Sequence, residues 1–251
     1  MFDISAVIIT KNEEDNIRAC LQALNGVVSE ILVVDSMSDD DTVAICRTLG
    51  AKVIQTQWKG YAQTKNEANG WARHDWILSI DADEVLSQEL AQSIRQLQPK
   101  INCVYLVDRL NNFCGQWIKH SGWSPDWKPR LFNRQSTYWD GAYVHEELKV
   151  PSQDQRIRLK GQLLHYSYRS LEDHWQRMEK YTQLAATAMY QQGKKATWTK
   201  LWLSPLFRFI KTYVLKRGFL DGKNGWIISQ RNAVLVHMKY KKLRALYQGQ
   251  V

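Results

Sequence analysis

Over the first hundred residues, short apolar runs rich in β-branched side chains alternate with amphipathic stretches. Ile4 to Thr10 is the first run, and Glu13 to Leu24 follows with Ile17, Cys20, Leu21 and Leu24 at helical spacing. Ile31 to Val34 is a second run ending at Asp35, and Ser38-Asp39-Asp40-Asp41-Thr42 then reads as a turn and helix N-cap. The helix it opens reaches Leu49 and is closed by Gly50. Lys52 to Gln55 is a third strand, Tyr61 to Ala72 a helix, and Trp76 to Ile80 a fourth strand ending at Asp81. Few folds accept such a pattern. It predicts an α/β, Rossmann-like chain with a mostly parallel sheet flanked by helices on both faces.

In sheets of that kind ligands gather at the C-terminal ends of the strands. Here those ends are Thr10-Lys11-Asn12-Glu13, Asp35-Ser36-Met37-Ser38 and Asp81-Ala82-Asp83-Glu84. Carboxylates crowded on one sheet edge repel one another unless a divalent cation or ligand hydroxyls sit among them. Neither a GxGxxG nor a P-loop is present, which disfavours a dinucleotide fold and an NTPase.

Beyond residue 100 the pattern is less regular. Val104 to Val107 and Arg130 to Asn133 read as strands, with Trp117 to Trp127 as a loop over the site. Ser170-Leu171-Glu172-Asp173 opens a helix whose apolar positions are Trp175, Met178, Ala185, Ala188 and Met189. Ser204-Pro205 reads as an N-cap and first helical residue, starting a helix that Gly218 ends. A last helix covers about Gly225 to Tyr247.

The 251 residues carry 34 Lys/Arg and 25 Asp/Glu, but the net +9 hides a split. Residues 1–150 hold 15 basic and 20 acidic residues, a net of −5, whereas residues 151–251 hold 19 and 5, a net of +14. Cys20, Cys46, Cys103 and Cys114 show no CxxC or zinc spacing, so reduced thiols are expected. The N-terminus has no basic n-region, and no apolar run reaches the ~20 residues of a membrane span. A cytosolic protein is expected.

The runs Val7-Ile8-Ile9-Thr10-Lys11-Asn12-Glu13-Glu14, Val33-Val34-Asp35-Ser36-Met37-Ser38-Asp39-Asp40-Asp41-Thr42 and Asp81-Ala82-Asp83-Glu84 resemble the inverting family 2 glycosyltransferases of the GT-A fold. Trp127-Lys128-Pro129-Arg130-Leu131-Phe132-Asn133-Arg134 and Gly141-Ala142-Tyr143-Val144-His145-Glu146 narrow the resemblance. They look like the lipopolysaccharide or lipooligosaccharide inner-core β-1,4-glucosyltransferase group, and the likeness covers essentially the whole chain. It implies a GT-A catalytic domain over residues 1–165, with a nucleotide-sugar half at about 1–100 and an acceptor half at about 101–165. Residues 166–251 would be a basic, helical, membrane-proximal extension.

The resemblance implies that Asp83 holds Mg²⁺ or Mn²⁺ and that Asp81 contacts the nucleotide; capping of the following helix is the plain alternative for Asp83 and Glu84. Asp35 would pair with a uracil edge, or else cap its own turn. Thr10, Asn12 and Glu13 would line base and ribose, although Glu13 is equally a helix-dipole partner. Lys65 would lie near the nucleotide, or be a solvated helix charge. Inversion needs a base for the acceptor hydroxyl; Glu146 is the candidate, with Glu147 and Asp126 competing. His145 is a candidate further metal ligand or a structural histidine. Trp117, Trp123, Trp127 and Trp139 fall within 23 residues; Trp123 and Trp127 could stack on acceptor sugar, and Arg130 could hold acceptor phosphate or form a salt bridge. Trp76 and Trp175 are expected in the core.

The expected activity is transfer of glucose from UDP-glucose to a heptose of the lipopolysaccharide inner core, at the cytoplasmic face of the inner membrane. The alternatives are another β-hexosyltransferase for a capsule or lipid-linked glycan, or a non-catalytic nucleotide-sugar or polyanion-binding protein. An anionic membrane surface is the expected partner of the basic aromatic C-terminal third. No nucleic acid is expected, for the chain shows no helix-turn-helix, RNP or zinc signature.

Overall fold

A strand with both faces covered is mostly apolar, and the first strand of this chain carries only Ser5 and Thr10 among five apolar residues. In the computed structural model, which describes residues 2–141 and 146–249, β1 (Ile4–Thr10) is buried along its whole length. Ile4, Ala6 and Ile8 enter one core with Ile17, Cys20, Leu21 and Leu24 of α1 (Glu14–Leu24). Val7 and Ile9 point the other way, into a second core. β2 (Glu30–Asp35), α2 (Thr42–Thr48), β3 (Lys52–Gln55), α3 (Tyr61–Trp71) and β4 (Trp76–Asp81) follow in turn. α1 and α2 pack on the first core and α3 on the second, so both sheet faces are dry.

The four strands pair in parallel in the order β3-β2-β1-β4. β5 (Glu84–Leu86), α4 (Gln88–Arg95), β6 (Cys103–Phe113), β7 (Gln116–Ile118) and β8 (Trp127–Asn133) come next. β9 (Tyr138–Asp140) and β10 (Glu147–Lys149) form a separate antiparallel pair, and β11 (Gln155–Tyr168) returns to the main sheet. Beyond β4 the pairing turns antiparallel: β8 lies against β4, β6 against β8, and β5 against β11.

The chain divides into two compact units, residues 1–109 with 126–165, and residues 110–125 with 166–251. Residues 110–125, expected with the acceptor half, thus cluster with the C-terminal helices. The second unit has its own core of Phe113, Ile118 and Ile228, with Trp123 and Tyr168 packed on it. Its helices are α5 (Leu171–Gln191), α6 (Trp198–Ile210) and α7 (Gly222–Tyr247). A π turn (Lys211–Leu215) and a 3₁₀ turn (Gly218–Asp221) join the last two.

Three readings of this region need correction. Trp117 to Trp127 is not all loop, since β7 pairs with β6 and Trp127 opens β8. α5 buries His174, Met178, Thr182 and Ala186, whereas Trp175 is 37% exposed. The face is chosen by the His174 ring, which lies edge-on to Phe113 and Tyr168. Pro205 lies inside α6, whose cap is Thr197 accepting from the Lys200 N–H. Pro205 has no N–H for the Leu201 carbonyl, and the His237 ring takes that carbonyl at 3.2 Å.

Two stability measurements follow from this packing. Gly161 in β11 has φ +90, and a Cβ there would stand 2.2 Å from the Leu90 backbone nitrogen. Gly161→Ala should cost about 3 kcal/mol or more in urea unfolding, whereas Gly193→Ala, also left-handed but in open space, should cost about 1. Burial, with the Arg231 cation adding to it, pushes the His174 imidazole down to about 4. The unfolded ring titrates near ~6.5, so stability is full above that pH and falls as pH drops toward 4. His174→Phe should flatten the profile across that window, a difference of up to about 3 kcal/mol.

Candidate active site

Register brings the three carboxyl-bearing strand ends to one edge: Thr10 is opposite Asp35, and Ile9 is opposite Asp81. The loops after β1 and β2 are tied to each other there. The Asn12 N–H donates to Ser38 Oγ (2.8 Å), and Asn12 Oδ1 accepts from the Asp39 N–H (3.1 Å). The Glu13 N–H donates to Thr42 Oγ1 (2.8 Å), and Glu14 Oε2 accepts from the Asp41 N–H (3.0 Å). The Ser-Asp-Asp-Asp-Thr run is therefore a clamp between two loops as well as a turn. Asp35 is fully buried; it accepts from the Ser38 N–H (2.9 Å), the Ser38 hydroxyl and the Gln55 amide (3.2 Å). The Glu13 carboxylate takes the Asn16 amide at 2.7 Å. Among the described residues, Thr10 Oγ1 and Ser36 Oγ are buried with no hydrogen-bond partner, and the Ser36 N–H donates to the Thr10 carbonyl (2.8 Å).

The second group is charged. Leu131 pairs with Leu78, so Arg130, one residue back on β8, runs beside the end of β4. Arg130 is 4% exposed, and its guanidinium donates to Asp81 Oδ2 (2.9 Å) and to Glu84. Glu84 is fully buried and also accepts from the Asp81 N–H (3.0 Å), with Arg109 3.7 Å away. Lys65, buried on α3, lies 3.3 Å from Asp81 Oδ1 and 3.2 Å from Glu146 Oε1, with its ammonium over the Trp139 ring. Burial pushes the Asp81 carboxyl up, but the Lys65 and Arg130 cations outweigh it and hold the group well below the usual range. Glu84 moves the opposite way, because burial and the Asp81 charge exceed what Arg130 returns.

Glu146 is positioned by the same helix. The Asn66 side chain donates to the Trp139 carbonyl and accepts from the Trp139 N–H, both at 2.8 Å, as a strand neighbour would. That pair of hydrogen bonds docks β9, whose partner β10 starts one residue after Glu146. Of the competing bases, Glu147 is exposed and pairs with Lys149 (3.1 Å). Asp126 is held by Arg109 (2.8 Å) and Lys128 (3.0 Å); burial raises its pKa, but those cations win and lower it. His145 lies outside the described residues.

Ser87 caps α4 by accepting from the Leu90 N–H, so Asp83 and Glu84 are not spent on that helix. Asp83 Oδ2 instead meets His165 Nε2 at 3.2 Å, because β11 pairs His165 with Glu84. A carboxylate beside an imidazole suits Mg²⁺ or Mn²⁺ that keeps waters and takes further oxygens from phosphate. Among the described residues, no three His, Cys, Asp or Glu side chains converge on one point. His165 was not anticipated from sequence, nor were Arg109 and the carboxylate role of Glu84. His165 sits in no motif, and only the long-range β5–β11 register brings it in.

The expected acceptor residues fall in different units. Arg130 is occupied by Asp81 and Glu84, so its guanidinium is not turned outward to an acceptor phosphate. Trp123 belongs to the second unit, edge-on to Phe113 at 5.7 Å and 5.9 Å from Tyr168. The half-buried Trp127 ring carries the Arg158 guanidinium 4.7 Å from its centre.

Arg130→Met removes the cation shared by Asp81 and Glu84. Urea unfolding should show a loss of about 3–5 kcal/mol, as for a buried charge left unpaired. Arg130→Met with Glu84→Gln should recover part of that loss; a double-variant loss equal to the sum of the two single losses would mean that the two groups are not coupled.

Known proteins share this arrangement of sequence. An uncharacterized glycosyltransferase of Rickettsia typhi is 34% identical over 260 residues, covering 98% of this chain and 88% of its own. The lipopolysaccharide core biosynthesis glycosyltransferase LpsC of Rhizobium meliloti is 27% identical, covering 96% of this chain and 91% of its own. Among solved structures, glucosyl-3-phosphoglycerate synthase from Mycobacterium tuberculosis is 17% identical, with a TM-score of 0.48 over 76% of this chain and 80% of that one. The model of glycosyl transferase family 2 matches residues 5–167, a span that holds the four parallel strands but for Ile4, and the whole cluster around Asp81. The chain belongs to glycosyl transferase family 2.

Proposed function

We propose that the protein is an inverting, metal-dependent hexosyltransferase that moves glucose from UDP-glucose onto a heptose of the lipopolysaccharide inner core, at the cytoplasmic face of the inner membrane. The observation that carries the reading is the Lys65 bridge between Asp81 at the sheet edge and Glu146 on the neighbouring hairpin. It joins a nucleotide-side carboxylate to an acceptor-side carboxylate across one buried cation. The lipopolysaccharide-core part rests on the likeness to LpsC.

In this reading Thr10, Asn12, Glu13 and Asp35, at the ends of β1 and β2, line the base and ribose. Asp83 and His165 hold Mg²⁺ or Mn²⁺, which when bound offsets charge on the leaving diphosphate. Glu146, held 3.2 Å from the Lys65 ammonium, takes the proton of the acceptor hydroxyl. The acceptor oxygen bonds to the anomeric carbon from the face opposite the diphosphate. The bond from that carbon to the phosphate oxygen breaks, and UDP departs with its electrons, inverting the centre. Trp127 lies on the acceptor side of the reading.

Calorimetric titration with UDP tests the donor site. Wild type should bind UDP with Mn²⁺ present, and Asp83→Asn should weaken that binding about tenfold or more. Glu146→Gln should keep UDP affinity and lose about 10²–10⁴ in turnover of UDP-glucose with core acceptor. Failure of UDP to bind under either metal overturns the donor, and undiminished turnover in Glu146→Gln overturns the base.

A further inference from the structure

An amphipathic helix ordinarily turns its apolar face to the core; α6 does the reverse. Its buried residue is Leu201, whereas Trp202 (61% exposed), Leu203 (61%), Leu206 (57%), Phe207 (62%) and Ile210 (42%) face solvent. At about 100° per residue these five occupy one arc of about 140°. The π turn that follows extends the surface with Val214 and Leu215, exposed by 53% and 66%. Isolated exposed hydrophobics are ordinary, but a continuous stripe of this size marks a contact surface.

The charges beside it name the contact. From Lys180 to the C-terminus the chain holds 14 Lys/Arg and a single acidic residue, Asp221. Asp221 is 3% exposed and is consumed by the Ser121 hydroxyl (2.7 Å) and the backbone N–H groups of Lys119 and His120. Among the described residues of that stretch no exposed carboxylate remains. Lys200 and Lys211 border the apolar arc, and Lys216 and Arg217 lie just beyond the π turn, all four exposed. A second copy would bring two positive faces together. Nucleic acid would satisfy the charges but offers no apolar medium for Leu203, Leu206 and Ile210. An anionic bilayer surface satisfies both at once: phosphates meet the Lys/Arg, and the rings and aliphatic chains enter the headgroup–acyl boundary. No helix of the described residues is long and apolar enough to cross a membrane.

We propose that the α6 face, continued through the π turn, lies in the interface of an anionic phospholipid bilayer and is the surface by which this protein reaches a lipid-borne acceptor. The surface stands on its own residues; only the acceptor's identity rests on the functional reading above.

The test is flotation of the full-length protein with vesicles of phosphatidylcholine, with and without about 30% phosphatidylglycerol. Wild type should float with the anionic vesicles, and its partition should fall tenfold or more on neutral ones. Trp202→Glu/Phe207→Glu, both at well-exposed positions, should lose at least tenfold in partition while keeping its circular dichroism and UDP titration. Lys200→Gln/Lys211→Gln should show a smaller loss that vanishes in high salt. Flotation of the Trp202→Glu/Phe207→Glu variant like wild type overturns the proposal. So does equal binding to neutral vesicles, or a wild-type dimer by sedimentation that is lost in the variant without any lipid binding. UDP binding without flotation would overturn the surface and leave the transferase intact; flotation without UDP binding would do the opposite.

Discussion

A guanidinium can leave water only if carboxylates go with it. Arg130 is almost wholly buried, and Asp81 and Glu84 close around it at the edge of the sheet. Glu84 then fixes the turn after β4 through the Asp81 N–H, and Asp81 turns its other oxygen to Lys65. Lys65 in turn reaches Glu146. Remove the arginine and each carboxylate in that chain loses the reason for its orientation. The same register that seats Arg130 draws the rest of the site inward, because β8 is the first antiparallel strand beside the parallel half.

The parallel half was legible because it is written locally. Each strand is an apolar run, and α1 shows its buried residues at regular spacing, so Ile17, Cys20, Leu21 and Leu24 could be named before the fold was known. Asp81, Lys65 and Glu146 were also named, although nothing local says that residues 65 and 146 touch across 81 positions of chain. What could not be read depends on distant pairing. Arg130 looks outward until β8 is laid against β4, and His165 looks incidental until β11 is laid against β5. α5 was misphased because two of its four buried residues, His174 and Thr182, are polar, and apolar counting passes over them.

Lys65 and Asn66 show how one helix serves two tasks. The amide of Asn66 stands in for a missing strand partner of Trp139, and the ammonium of Lys65 lies over the same indole. A hairpin of three residues per strand has little stability alone. Here it borrows a backbone-like edge from α3, so the carboxylate beside it inherits the rigidity of the sheet.

The proline of α6 reaches further than its own helix. A carbonyl oxygen can only accept, so the His237 ring nitrogen that meets the Leu201 carbonyl must carry a hydrogen. That settles the tautomer of a histidine on α7: Nδ1 is protonated in the neutral ring, and Nε2 holds the lone pair. Gaining a second proton would leave the Nδ1–H bond in place. The seam between α6 and α7 is therefore joined in the same way whether the imidazole is neutral or charged.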